Sequence, residues 1–353
     1  MQCEEKRQLV GAFWFLLAMY AQLCASLISS VLCILVMKKC LKTVFHVNIK
    51  VLFVAMLSLY VVHSLIIAAT QTMHLILYKA KDPCTLSISP VTCFCLRFPA
   101  FSCMVSFSVM QFFMVVERMA ALWKHQRYES YGPLLGILFV AISILVAIGG
   151  ASYTFSDYMS QQSFFYCSSI SSYSSTRIEI VFFSITGIDL LTVLLIIMLN
   201  VVNAHFLKRK SNTLAASYQL RENIVIFRII LPLSTFQALY FLLYSMSGVL
   251  LTEIVQVVDA EKFYTWAALL YTPPYYTLIS TLFIGYAMRS SNRRHRLLEA
   301  IDEQQRKERE IYFQTYDVMW KRHDTKRKNQ VGVQCQFHIP PGGDSSRTNF
   351  IPC

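Results

Sequence analysis

Seven apolar stretches, each long enough to cross a bilayer, with basic residues crowded into every second connection, dictate what this chain can fold into. From Leu9 to Met37 there is no Lys, Arg, Asp or Glu. At about 1.5 Å per helical residue such a run exceeds the ~30 Å hydrocarbon core of a membrane. Backbone groups in lipid must be satisfied within the segment, so runs this long are helices. The expected fold is an all-α membrane protein, a seven-transmembrane helix bundle. Its spans fall at about 9–37, 51–77, 90–116, 134–153, 180–202, 224–251 and 263–288.

The chain is 55% hydrophobic and 15% charged, which sets it apart from a soluble domain. A net charge of +12 raises the question of a nucleic-acid partner. Its distribution answers no, because the excess sits in loops and a tail beside the membrane, where anionic inner-leaflet lipids and an acidic cytoplasmic partner are the fitting counterparts. The first connection carries Lys38, Lys39, Lys42 and Lys50, the third Arg118, Lys124 and Arg127, the fifth Lys208, Arg209, Lys210 and Arg221. The even connections hold only Lys79 and Lys81, then Arg177, then Lys262, whereas thirteen Lys or Arg follow Met288. The positive-inside rule therefore places the amino terminus outside and the tail in the cytoplasm. The first run is too long for a signal sequence, so none is expected. About eight residues precede it, too few for an external binding domain.

Of the eleven cysteines, Cys24, Cys33 and Cys103 lie in spans, and Cys40, Cys335 and Cys353 face a reducing cytosol. Cys167 is the cysteine of the second outer connection and the natural half of an extracellular disulfide. Its partner could be Cys84, Cys93 or Cys95. Cys93, at the outer mouth of the third span, is favoured over Cys84, and a bridge there would tie the 154–179 connection over the bundle as a lid. Connectivity stays open at this level.

Ionisable groups inside spans are costly and draw attention to function. Asp189, mid-way along the fifth span, could meet a cationic or hydrogen-bonding ligand, or pair with a neighbouring helix. Arg97, one turn below Cys93, could snorkel outward or meet an anionic ligand. Candidate ligand contacts in the outer halves are Gln71 and His74 in the second span, Phe101 and Met104 in the third, Gln237, Tyr240 and Tyr244 in the sixth, and Tyr271 in the seventh. No His-Glu-x-x-His or other metal-ligand spacing occurs in the spans, so no metal, no cofactor and no enzyme activity are expected.

Glu117 and Arg118 end the third span where it meets the cytoplasm. Seven spans, with a cysteine at the outer end of the third and an acid–Arg pair at its inner end, resemble the G-protein-coupled receptors. Glu117-Arg118-x-Ala120, Arg127-Tyr128-Glu129 and Tyr218-Gln219-Leu220-Arg221-Glu222-Asn223-Ile224 narrow the resemblance. Together they look like the nematode serpentine chemoreceptors of the Sra superfamily, the Sre family above the Sra, Srab and Srb families. The likeness runs to about residue 320, where Glu310-Ile311-Tyr312-Phe313 through Trp320 also looks Sre-like. The chain departs from the rhodopsin-like class. No Asn-Pro-x-x-Tyr ends the seventh span, which carries Tyr271-Thr272-Pro273-Pro274-Tyr275-Tyr276 and no lysine for a retinal Schiff base.

The resemblance implies a chemosensory receptor that binds an external small molecule within the bundle and activates a heterotrimeric G protein, with arrestin as a further partner. It also implies the plasma membrane, in the sensory cilium of neurons. Residues 1–288 would be the receptor domain and 289–353 a basic cytoplasmic tail. In that tail an amphipathic helix follows the last span, residues 302–322 are helical, and the last thirty residues are disordered. In the expected switch Arg118 pairs with Glu117 and Glu222 at rest, and the sixth span bends at Pro232 to release it. The competing function class is a ligand-gated channel or small-molecule transporter, against which the absence of an internal repeat weighs.

Overall fold

The computed structural model describes residues 3–43, 45–123, 132–158, 164–167, 175–208, 214–254 and 259–336. They belong to two units, residues 1–291 and 292–353. Nine helices lie among the described residues: α1 (Cys3–Gly11), α2 (Phe13–Leu41), α3 (Val47–Ala80), α4 (Pro90–Trp123), α5 (Leu134–Thr154), α6 (Ser175–Lys208), α7 (Leu214–Ile254), α8 (Ala260–Leu270) and α9 (Pro273–Gln336). Six of these, α2 to α7, are long and apolar enough to cross a membrane. The only pairing of extended backbone among the described residues is an isolated antiparallel bridge between Ile88 and Phe164.

The helix ends follow from local chemistry. The His46 ring accepts a hydrogen bond from the Asn48 amide at the start of α3, satisfying one of the donors that a helix leaves open. Lys38 and Lys39 sit in the last turn of α2, where the helix dipole favours cations. At the other end of the bundle, residues 263–288 were expected to form one continuous span, and they do not. The helix stops at Leu270 and restarts at Pro273. The ring of Pro273 disfavours helical geometry at Thr272, and neither Pro273 nor Pro274 can donate a backbone hydrogen bond. Proline is at the same time well suited to the first position of the new helix. Two further boundaries differ from expectation. A separate helix, α1, precedes the first span across a break at Ala12, whose backbone is extended. The tail helix also continues to Gln336, past the point where disorder was expected, because no proline interrupts residues 302–336.

In the first unit α4 is the central element. It packs against α3, α5, α6 and α7, and 72% of its most apolar stretch is buried, against 22% for α5. The difference is that between a helix among helices and one facing lipid. On α6 the pattern reads inside-out. Thr186, Asp189, Thr192, Ile196, Leu199 and Asn203 are buried at three- and four-residue spacing, while Leu190, Leu194, Met198 and Val201 are exposed. Lipid is as apolar as leucine, so polar and small residues, rather than greasy ones, bring such helices together. Ser106 and Ser143 join α4 to α5 at 2.9 Å, Ser29 and Thr277 join α2 to α9 at 3.2 Å, and Cys33 and Thr281 do so at 2.9 Å.

Among the described glycines, Gly136 on α5 has the closest neighbour on another helix. Its amide donates to Asn48 Oδ1 at 3.1 Å, and a Cβ there would stand 2.8 Å from the Asn48 carbonyl oxygen. Gly136→Ala is therefore expected to lower stability by about 1–3 kcal/mol through overpacking. Gly149→Ala, where a Cβ meets nothing within 4 Å, is expected to be neutral or slightly stabilising. Thermal unfolding of the two variants in the same lipid nanodiscs checks the contrast.

Candidate functional site

The outer end of the bundle, as the charge pattern orients it, is built around two disulfides among the described residues, Cys93–Cys167 and Cys3–Cys84. The first joins the outer turn of α4 to the segment 164–167, which the Ile88–Phe164 bridge holds from the other side. Of the partners left open for Cys167, the structure takes Cys93. Cys84 is bonded to Cys3, a pairing that sequence reasoning did not raise, although both cysteines lie on the outer side.

Arg97, one helical turn below Cys93, does not snorkel outward: it is 2% exposed. Its Nε donates to the Cys167 carbonyl at 2.6 Å, and its guanidinium carbon lies 4.8 Å from the Tyr271 ring centroid and 5.9 Å from that of Tyr166. Nη1 has no hydrogen-bond partner among the described residues. Outside the spans, burial pushes the Tyr158 phenol up to about 12, with the positive charge of Arg97 pulling the other way.

Arg97 forms part of the wall of a cavity between α4, α6, α7 and α8. Five of the ten candidate ligand residues line it: Arg97, Phe101, Met104, Tyr244 and Tyr271. Sequence reasoning missed Tyr166, Glu179 and Phe182, which also line it. The signal for Tyr166 was its place beside Cys167.

The other five candidates do structural work elsewhere. His74 Nε2 accepts from the Cys167 amide at 3.2 Å, so its Nδ1 carries the proton and donates to Gln71 Oε1 at 3.4 Å. Gln71 Nε2 donates to Gln22 Oε1 at 2.5 Å. Gln22 Nε2 in turn donates to the carbonyls of Ala268 at 2.6 Å and Tyr271 at 3.1 Å. One relay thus fixes the segment carrying Cys167 and satisfies carbonyls that the break between α8 and α9 leaves open. Tyr240 bonds Thr272 at 3.2 Å and stacks on Tyr276 at 4.6 Å.

Asp189 and Gln237 lie deeper, in a polar knot joining α4, α6, α7 and α9. The Asp189 carboxylate accepts from Ser108 Oγ at 3.0 Å and from Gln237 Nε2 at 2.8 Å. Gln237 Oε1 accepts from Gln111 at 2.6 Å and from the Tyr276 hydroxyl, and Gln111 Oε1 accepts from Ser234 at 2.7 Å. The donors to Asp189 among the described residues are neutral, and no cation among them offsets the cost of burying a charge there. Asp189→Asn, which keeps an acceptor for Gln237 and gains a donor toward Ser108, is expected to leave stability unchanged or raise it. Asp189→Leu strands the Gln237 and Ser108 groups and is expected to cost about 1–3 kcal/mol. Unfolding curves of the two variants in nanodiscs decide it.

At the inner end of α4, Glu117 and Arg118 are both fully buried. Arg118 donates Nε to Glu117 Oε2 and Nη2 to Oε1, both at 2.5 Å, and Nη1 to Asn223 Oδ1 of α7 at 3.2 Å. The side chain of Glu222, the expected partner, lies outside the described residues. Asn223, its neighbour, is the α7 contact that the structure gives, and sequence reasoning did not single it out. Pro232 stands nine residues further along α7 and removes one backbone hydrogen bond there.

Comparison with known proteins fits this architecture. The chain is 27% identical over 246 residues, 67% of each protein, to serpentine receptor class beta-17 of Caenorhabditis elegans. The profile of the serpentine type 7TM GPCR receptor class ab chemoreceptors matches residues 1–321. The nematode serpentine superfamily expected from the motifs is thus the right one, while the finer preference for Sre gives way to class ab. By a match over nearly its whole length, the chain belongs to the serpentine type 7TM GPCR receptor class ab chemoreceptor family.

Proposed function

We propose that the protein is a G-protein-coupled chemosensory receptor that takes a small molecule into the outer cavity and activates a heterotrimeric G protein from its inner end. The observation that carries this reading is the buried Glu117–Arg118 pair with its reach across to Asn223 on α7. A fully buried ion pair is a poor source of stability, because desolvation offsets most of its attraction. It is well suited to a switch, since small relative movement of α4 and α7 changes the partners of a charged group. Between cavity and pair, Tyr244, Tyr240 and Tyr276 stack in sequence and reach the Gln237–Asp189 knot. Ligand acts by binding the active arrangement better than the resting one, with Pro232 permitting the bend in α7. The site of action is the plasma membrane, in the sensory cilium of neurons. There anionic inner-leaflet lipids would meet the basic tail, and arrestin would be a further partner.

The test is guanine-nucleotide exchange on a panel of Gα subunits by full-length protein in nanodiscs. Wild type should accelerate exchange on at least one Gα class, and Arg118→Gln should not. Silence of folded wild type on every class, with and without short organic acids, alcohols and amides as candidate ligands, would overturn the reading.

A further inference from the structure

We infer that the outer cavity is built for a small carboxylate with a short apolar body, bound through Arg97. The inference rests on the reading of this cavity as the ligand site. Arg97 is held in place from two sides, by the Cys167 carbonyl on Nε and by the rings of Tyr166 and Tyr271. It is 2% exposed, makes no ion pair among the described residues, and keeps Nη1 without a partner. A buried guanidinium without a carboxylate is costly in a low-dielectric site, and a ligand carboxylate is the group whose geometry fits its fork.

The rest of the wall narrows the ligand. Phe101, Met104, Phe182 and Leu251 are apolar, and Tyr244 and Tyr271 present rings. Glu179 is the other charged group on the wall. It is only partly buried, so solvent screens its repulsion of an anion, and it has interactions of its own. The cavity measures about 50 Å³ as the space open to the centre of a water-sized sphere. One water needs roughly 10–15 Å³ on that scale and occupies about 30 Å³ of liquid, so the space equals three to five waters, roughly 100–150 Å³. That accommodates an acid of three to five carbons.

The experiment uses full-length protein in nanodiscs, with propionate and butyrate against propionamide and butyramide, by saturation-transfer NMR titration at neutral pH. The acids should bind wild type at least about tenfold more tightly than the amides, the scale of a charge-assisted hydrogen bond. Arg97→Gln should weaken the acids by about ten- to a hundredfold and leave the amides within about threefold. Met104→Trp, which fills the wall and keeps Arg97, should weaken acids and amides alike. Should Arg97→Gln fail to fold, Arg97→Lys, which keeps the charge without the fork, should retain a reduced acid preference. Acids and amides binding wild type equally, both lost in Met104→Trp, would overturn the carboxylate inference while the cavity stands as the ligand site. Binding that Met104→Trp and Arg97→Gln both leave untouched would overturn the inference and the cavity reading together. Failure of either acid to bind wild type would overturn the inference.

Discussion

Removing either member of the inner ion pair should destabilise the protein by about 3–5 kcal/mol, and removing both should restore most of that loss. Arg118→Gln leaves the Glu117 carboxylate fully buried without its bidentate partner, and Glu117→Gln leaves the Arg118 guanidinium buried beside a neutral amide. The double variant carries neither charge of the pair. Two amides of similar shape can bond each other and Asn223. The double change should therefore cost less than either single one, a coupling free energy of several kcal/mol opposite in sign to simple addition. Denaturant or thermal unfolding of the four proteins in one lipid composition supplies the cycle. If the double variant were as unstable as the sum of the singles, the pair would be two independent polar contacts rather than one charge-balanced unit. The same proteins separate stability from coupling, because the double variant should be folded and still silent in nucleotide exchange.

The second large effect concerns the two disulfides, which close loops of nearly equal length and should nonetheless differ in consequence. Their sequence separations are 74 for Cys93–Cys167 and 81 for Cys3–Cys84. On chain entropy alone the two would contribute alike. The elements they hold are not alike. Cys93→Ala releases the segment that presents the Cys167 carbonyl to Arg97 and the Cys167 amide to His74, so it removes partners from two buried polar side chains. About 2–4 kcal/mol of stability should go with it, and ligand binding in the cavity should go as well. Cys3→Ala releases the nine-residue α1, whose other contacts include the packing of Leu9, a 3.4 Å bond from Lys6 to the Leu86 carbonyl and Lys6 over the Phe165 ring. Its expected effect is a local loosening, seen as faster hydrogen exchange in α1, with the global midpoint nearly unchanged. Equal and large shifts in the midpoint from both would mean that α1 docks as part of the same cooperative unit.

Six of the expected spans were legible because lipid leaves the backbone so little choice, and Glu117 and Arg118 stood out as charges at the end of an otherwise uncharged run. What sequence could not supply was direction around each helix. Successive residues point about 100° apart, so a side chain's place in the sequence does not fix which neighbour it meets. The same limit divided the ligand candidates. Phe101 and Tyr244 reach the cavity, whereas Gln71 and His74 are spent on Gln22 and the Cys167 amide. Arg97 carried two opposite readings, outward or inward, and only the position of the Cys167 carbonyl decides between them. The break before Pro273 was visible as a Tyr-Thr-Pro-Pro string. What could not be foreseen was that Gln22, on another helix, would supply the donors making an interrupted span tolerable in lipid.

The 21 residues of α5 have a consequence for where the protein can work. At 1.5 Å per residue this helix is about 31 Å long, whereas α3, α4 and α6, at 34 residues each, reach about 51 Å. The long helices can meet a thicker membrane by standing more upright; α5, only just as long as a typical hydrocarbon core, has no such slack. A smaller share of its apolar stretch is buried than in α3, α4 or α6. On that flank the membrane must match the protein, thinning locally wherever its core exceeds about 30 Å. Acyl-chain length thus becomes a variable that acts on one side of the bundle and leaves the others nearly untouched.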